Sequence, residues 1–231
     1  LGHVESLEGT LQVACEQVSG STGGLAGHLR IGCTEAFGSC FVTAQMSHFL
    51  DHYPNISVDI LPVPHFISLS KREADIVIAL ERPEHGPYVC CKLCDYRLRL
   101  YATRDYLDNH EPILRSSDLA RHPFISYVDD LAFSSELLYL ANLLPTATAH
   151  LRSTSVIAQQ HAARAGLGIA VLPNYMARHD PHLVRVLPSE TIQRSYWIST
   201  RRELHKSVRL RVVWDYLLAL CADEQGELLA E

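Results

Sequence analysis

The sequence predicts an α/β fold in which one strand–helix layout is used twice, and three observations carry the prediction. Short apolar runs of strand length alternate with stretches whose apolar residues recur every three or four positions. The alternation stops near the middle of the chain and starts again on a second set of elements, without any repeat of the sequence itself. Finally, 231 residues at 47% hydrophobic and 20% charged hold enough apolar material for a full core or for two modest lobes.

The elements follow in order. Val4 to Val18 places Val4, Leu7, Leu11, Ala14, Cys15 and Val18 on one helical face, and Ser19 to Gly24 then reads as a flexible joint. Leu29 to Gly32 is a short strand. Phe37 to Tyr53 is a helix with Val42, Met46, Phe49, Leu50 and Tyr53 as its apolar stripe, ended by Pro54-Asn55. Strands are expected at Ser57 to Val63, Asp75 to Leu80, Tyr88 to Cys94 and Arg97 to Thr103. Such alternation argues for parallel sheets covered by helices.

The second set opens with a strand at Phe124 to Tyr127, a helix from Ser134 to Leu144 stopped by Pro145, and a strand at Ala149 to Arg152. Ser153, Thr154 and Ser155 supply N-cap candidates for a helix running to Ala165. Gly166 and Gly168 suit its exit into a strand at Ile169 to Leu172, stopped by Pro173. Strands near Leu183 to Leu187 and Ser195 to Ser199 precede a long helix from Val208, whose stripe is Leu210, Val213, Trp214, Leu217 and Cys221.

The formal net charge is −6 and the Lys and Arg residues are scattered, so the chain by itself offers no basic surface for phosphates. No apolar run approaches the roughly 20 residues needed to span a bilayer, and the first residues lack the pattern of a secretory signal. The expected location is the cytoplasm. The chain does not open on Met, which points to a longer parent protein.

Seven cysteines, at 15, 33, 40, 90, 91, 94 and 221, are odd in number and irregular in spacing. On a strand Cys90 and Cys94 share a face while Cys91 points the other way, which suits structural thiols better than a metal site. No metal or cofactor is expected. There is no phosphate-binding glycine loop, no His-Glu-x-x-His and no Gly-x-Ser-x-Gly elbow, and the 13 histidines are spread along the chain, so no nucleophile is nominated and the reading is not an enzyme.

Several segments, in this order, resemble the effector-binding domain of LysR-type transcriptional regulators. They are Gly27-His28-Leu29-Arg30-Ile31-Gly32 with Thr34-Glu35-Ala36-Phe37-Gly38 after it, then Phe49 to Val58, similar to the family's F-x-x-x-Y-P-x-I-x-V turn. Arg72 to Ile78 is similar to its acid-then-strand element, and Ala165 to Pro173 to its glycine-rich helix exit. The resemblance runs from about Val4 to the final helix.

The resemblance implies two Rossmann-like lobes joined by crossing strands, like a type-2 periplasmic binding protein. Lobe I would be residues 27–96 plus 195–231 and lobe II residues 97–194, with residues 1–26 as the end of a linker helix and a joint. It further implies a small-molecule effector bound between the lobes, a homodimer or homotetramer, and contact with DNA only through an N-terminal winged helix-turn-helix that these residues do not contain.

Carried over by the resemblance, the effector-binding residues are Thr34, Glu35 and Ala36 after the first strand, His65 beside Pro64 at the second strand's exit, and Tyr127 and Phe133 on the lobe II wall. Many members place a hydroxyl where Ala36 stands, and Thr34 is the substitute here. Thr154 and Ser155 join them on physical grounds, as does Thr34. Each opens a helix whose unpaired N–H groups and partial positive charge favour an anion, so a small organic acid is the expected effector. Thr34 and Ser155 also read simply as helix caps, and Glu35 would repel an anion if it faced one. Tyr127 and Phe133 read equally as core aromatics, and His65 as a surface loop residue. A solute-binding protein of a transporter, or an enzyme on the same fold, are the alternative functions, the first opposed by the cysteines and the leading helix.

Overall fold

The computed structural model describes residues 25–63, 69, 73–140 and 148–230. The expected helix Val4 to Val18, the joint that follows it, Pro64-His65 and residues 141–147 lie outside the described residues. The chain divides into two compact units, residues 1–94 with 196–224, and residues 95–195 with 225–231. Two strands, β4 (Tyr88–Thr103) and β9 (Ile192–Arg201), pass from one unit into the other.

In the first unit the strand order is β2-β1-β3-β9, with β1 at Gly27–Thr34, β2 at Ile56–Val63 and β3 at Ile76–Ala79. β1 runs parallel to both neighbours, Ile31 facing Ile60 on one side and Ile76 on the other, while β3 meets β9 antiparallel with Ile78 opposite Ile198. Helix α1 (Thr43–His52) continues from a π-helical stretch, Phe37–Val42. The Thr43 N–H reaches back five residues to the Gly38 carbonyl, and its hydroxyl donates to the same oxygen at 2.7 Å. Gly38 has to be glycine here, because a Cβ would stand 2.5 Å from Cys33 Sγ and 2.8 Å from Pro62 Cβ.

The long C-terminal helix, α5 (Val208–Asp223), buries the expected stripe of Leu210, Val213, Trp214, Leu217 and Cys221. Each such large side chain contributes about 1.5–3 kcal/mol when removed from water. Its start is capped by Ser207, whose hydroxyl accepts from Leu210 N–H. Beside it Tyr216 donates to the Gln45 carbonyl at 2.6 Å and its ring lies 5.0 Å from that of Phe49, which fixes α5 against α1.

In the second unit the order is β4-β7-β5-β6, with β8 also on β4. β5 (Phe124–Ser126) is parallel to β6 (Ala149–Arg152) and to β7 (Ile169–Pro173), and β4 is antiparallel to β7 and to β8 (Leu183–Val186). Helix α3 (Val156–Arg164) connects β6 to β7. Short helices α2 (Arg104–Asp108) and α4 (Asn174–Ala177) were not foreseen. α2 starts where the Thr103 hydroxyl accepts from Tyr106 N–H at 3.1 Å, a cap concealed at the end of a strand. The C-terminal α6 (Gln225–Leu228) is in this unit, where Asn174 Nδ2 and Arg99 both donate to the Ala230 carbonyl.

Two expectations are corrected. The strands Tyr88 to Cys94 and Arg97 to Thr103 are one strand, which runs through the polar Asp95, held by the Ser195 hydroxyl that donates to its carboxylate at 2.6 Å. The helix expected from Ser134 opens as a 3-10 turn, Ser135–Leu137, since the Ser134 hydroxyl accepts from Glu136 N–H only two residues on.

A buried aromatic cluster in the second unit yields a test. His122 is 4% exposed, and burial lowers its pKa while pushing the Tyr106 hydroxyl up to about 12. The imidazole is therefore neutral at pH 7, and its Nδ1 shares a hydrogen bond of 2.9 Å with the Tyr106 hydroxyl. An unfolded chain protonates this imidazole to imidazolium more readily than the folded one, so stability is unaffected by this group above its unfolded pKa of about 6.5 and falls as pH drops below it. Urea unfolding of the wild type is expected to lose stability between pH 7.5 and 5.5 more steeply than that of His122→Gln.

Candidate functional site

In each unit one parallel strand lies between the two that follow it. From β1 the chain goes to β2 on one side and then to β3 on the other; from β5 it goes to β6 on one side and β7 on the other. At such a reversal of order the connections leave in opposite directions and open a crevice at the carboxyl end of the central strand. Thr34 ends β1, and Ser126 ends β5 with Tyr127 next after it. The described candidate residues thus divide between the units, Thr34, Glu35 and Ala36 in the first and Tyr127, Phe133, Thr154 and Ser155 in the second.

In the first unit Thr34 and Glu35 are half-buried and Ala36 is 4% exposed. The Thr34 hydroxyl donates to the Tyr196 hydroxyl at 3.4 Å, and no side-chain cap bond is made at Ala36, where the π-helical stretch begins. Tyr196 is itself 2% exposed, with its ring 4.2 Å from Phe37, which stacks in turn on Phe41 at 5.0 Å. The hydroxyl at the end of β1 is therefore oriented by an aromatic wall. Tyr196 was invisible to sequence reasoning, since it reaches Thr34 across 162 residues and nothing in its strand marks it.

In the second unit Ser155 caps α3, its hydroxyl accepting from Ala158 N–H at 3.1 Å. The Ser153 hydroxyl accepts from Ser155 N–H at 3.1 Å, and Ser153 N–H donates to the Ser126 carbonyl at 3.0 Å, so the ends of β5 and β6 and the start of α3 are one bonded unit. Gln159, fully buried, donates from Nε2 to the Ser153 carbonyl at 3.0 Å, while its Oε1 is buried with no hydrogen-bond partner. A buried amide oxygen left so costs free energy unless something donates to it. Gln159 stands one helical turn past the cap, a spacing from which its return to Ser153 was readable.

Thr154 and Phe133 are half-buried. Tyr127 is 8% exposed and meets Tyr139 edge-on at 6.1 Å. Tyr139, wholly buried, donates to the Val171 carbonyl at 3.0 Å, and burial raises its pKa well above the ordinary tyrosine value, so it stays neutral. With no acidic residue in the first turn of α3, no charge on the helix itself neutralises the partial positive charge at its start.

Among the described residues no group of three or more His, Cys, Asp and Glu could hold a metal ion, and no helix is long and apolar enough to cross a membrane. None of the six described cysteines is joined in a disulfide. Burial pushes Cys33 up to about 12 and raises Cys90 and Cys91, which disfavours thiolates at each.

Comparison with known proteins gives one answer. The model of the LysR substrate binding domain matches residues 22–222. The transcriptional activator TtdR of Escherichia coli K12 is 24% identical over 208 residues, covering 87% of this chain and 67% of TtdR. The transcriptional regulator CrgA of Neisseria meningitidis serogroup C is 23% identical over 176 residues, covering 74% of this chain and 59% of CrgA, so the chain spans less than two thirds of that relative. The solved regulatory domain of CrgA superposes with a TM-score of 0.74 at 19% identity over 84% of this chain and 98% of that one, which shows the same fold, two α/β units joined by crossing strands. The chain belongs to the LysR substrate binding domain family, the effector-binding part of LysR-type transcriptional regulators.

Proposed function

We propose that this domain senses a small organic acid at the carboxyl ends of its switch-point strands and signals its presence to N-terminal DNA-binding heads within a homodimer or homotetramer. The observation that carries the reading is the pairing, in each unit, of a strand order that reverses with a hydroxyl side chain beside the reversal, Thr34 ending β1 and Ser155 just past β6, whose exit is bonded to the end of β5. The assigned contacts are Thr34, Glu35 and Ala36 in the first unit and Tyr127, Phe133, Thr154 and Ser155 in the second, with His65 retained from the sequence. Among these, Ala36 and Tyr127 have little exposed surface to offer, and Thr34, Thr154 and Ser155 carry the polar recognition. The N–H groups opening α3, with the Ser155 hydroxyl, suit a carboxylate. Gln159, whose Oε1 is buried without a partner, stands one turn along α3 from the Ser155 cap, which makes a hydroxy acid worth testing beside a plain carboxylate. Signalling requires that the acid bind two arrangements of the regulator with different affinity.

Two substitutions test the reading. Ser155→Ala is expected to cost about 1 kcal/mol of stability through the lost cap and to weaken acid binding about tenfold, read by urea unfolding and by calorimetry with a panel of hydroxy acids. Thr34→Val keeps the shape and removes the donor to Tyr196, and should cost about 0.5–1.5 kcal/mol with a parallel loss of affinity. Unchanged affinity in both variants would remove the assignment.

A further inference from the structure

Within the second unit lies a cavity of about 50 Å3, several times the roughly 10–15 Å3 that a single water requires by the same measure. Leu98 and Leu100 of β4, Leu119, Phe124 of β5, Val171 of β7 and Ile192 of β9 wall it. Leu98, Leu100, Leu119, Phe124 and Val171 are all buried, so the cavity is cut into the unit's own core, where side chains ordinarily close such space. Ser116, Glu190 and Thr191 also line it. Ser116 is exposed and donates to Glu190 Oε1 at 2.6 Å, which places this pair at the solvent side as a latch that another donor can replace.

The charges around the cavity select the head group. Glu190 presents a carboxylate and so repels an anion. Arg99, the cation of the lining, is 6% exposed and already donates to the Pro188 carbonyl at 2.7 Å and to the Ala230 carbonyl at 3.5 Å. An apolar interior behind an acidic latch suits a short alkyl chain ending in a cation, because an ammonium brings a full positive charge to Glu190 where Ser116 offers only an uncharged hydroxyl donor.

We propose that this cavity is a second ligand site that takes a short primary alkylamine, the chain among the leucines and the ammonium on Glu190 in place of Ser116. It is independent of the acid site at the strand ends, shares no residue with it, and has the opposite charge preference.

The test is a methyl NMR titration of the whole chain with n-butylamine hydrochloride, sodium butyrate and n-butanol in parallel. The amine is expected to produce saturable shifts at the Leu98, Leu100, Leu119 and Val171 methyls at a concentration about tenfold below that needed for either comparison compound. Ser116→Leu, an exposed position whose change leaves the fold intact, closes the entrance and should abolish those shifts. Glu190→Gln should bring the amine down to the level of the alcohol. The proposal is overturned if the amine gives no saturable shifts at these methyls, if butyrate or butanol binds as well as the amine, or if the shifts persist in Ser116→Leu.

Discussion

Gly168→Ala is expected to destabilise the protein by about 3–5 kcal/mol, a large share of the roughly 5–15 kcal/mol that holds a domain folded. Gly168 has φ +145°, a backbone conformation that side chains rarely adopt, and a Cβ there would stand 2.3 Å from the Pro123 carbonyl oxygen and 3.0 Å from its carbon. Neither atom can swing aside, being backbone. The same carbonyl accepts the Ile169 N–H at 3.0 Å, the bond that starts the parallel pairing of β5 with β7 through Phe124 and Ile169. Relieving the clash would therefore unzip the central strand of the second unit, adding lost pairing to the strain. Thermal unfolding of Gly168→Ala against Gly166→Ala separates the causes. Gly166 has φ +75° but open space around its Cβ position, the nearest atom being 3.8 Å away, so its substitution should cost only about 1 kcal/mol.

Phe37→Ala should be comparably costly in the first unit, at about 3–5 kcal/mol. Phe37 is fully buried between Tyr196 at 4.2 Å and Phe41 at 5.0 Å, and it begins the π-helical stretch that follows β1. Its removal leaves a void that the backbone there cannot close, because Gly38 already sits against Cys33 and Pro62. The effect reaches the candidate site as well. Tyr196 loses the ring that holds it, and with it the hydroxyl that receives the Thr34 bond. Phe37→Leu retains most of the apolar volume and should restore most of the stability while leaving acid affinity reduced, if the orientation of Tyr196 matters as argued. Equal recovery of both would show that Phe37 only fills space.

Most of the fold was legible because its elements obey simple periodicities. The stripe from Leu210 to Cys221 and the cap at Ser155 were readable from spacing alone. What escaped depends on contacts remote in sequence. The two strands expected on either side of Asp95 are one, with Asp95 bonded to Ser195 from the far end of the unit's sequence, and Thr103, a strand residue as expected, also caps α2. The π-helical start of α1 is another such case, since the Gly38 to Thr43 bond has no periodic signature. Among the candidate residues, Thr34, read as opening a helix, donates to Tyr196 instead, whereas Ser155 was legible as a cap because capping is local chemistry. Tyr196 and the orphaned oxygen of Gln159 were not, because one depends on pairing across the sheet and the other on burial, neither of which a single sequence displays.

The central claim is that this chain binds a small organic acid. The most direct measurement is its melting temperature in a panel of small hydroxy acids, with neutral and cationic compounds as controls, using Ser116→Leu so that the core cavity cannot contribute. A matching acid at about 100 times its dissociation constant adds about 2.7 kcal/mol, or roughly 5–10 °C for a protein of this size, and Ser155→Ala should diminish the rise. A panel in which no acid raises the melting temperature while a neutral or cationic compound does would contradict the account.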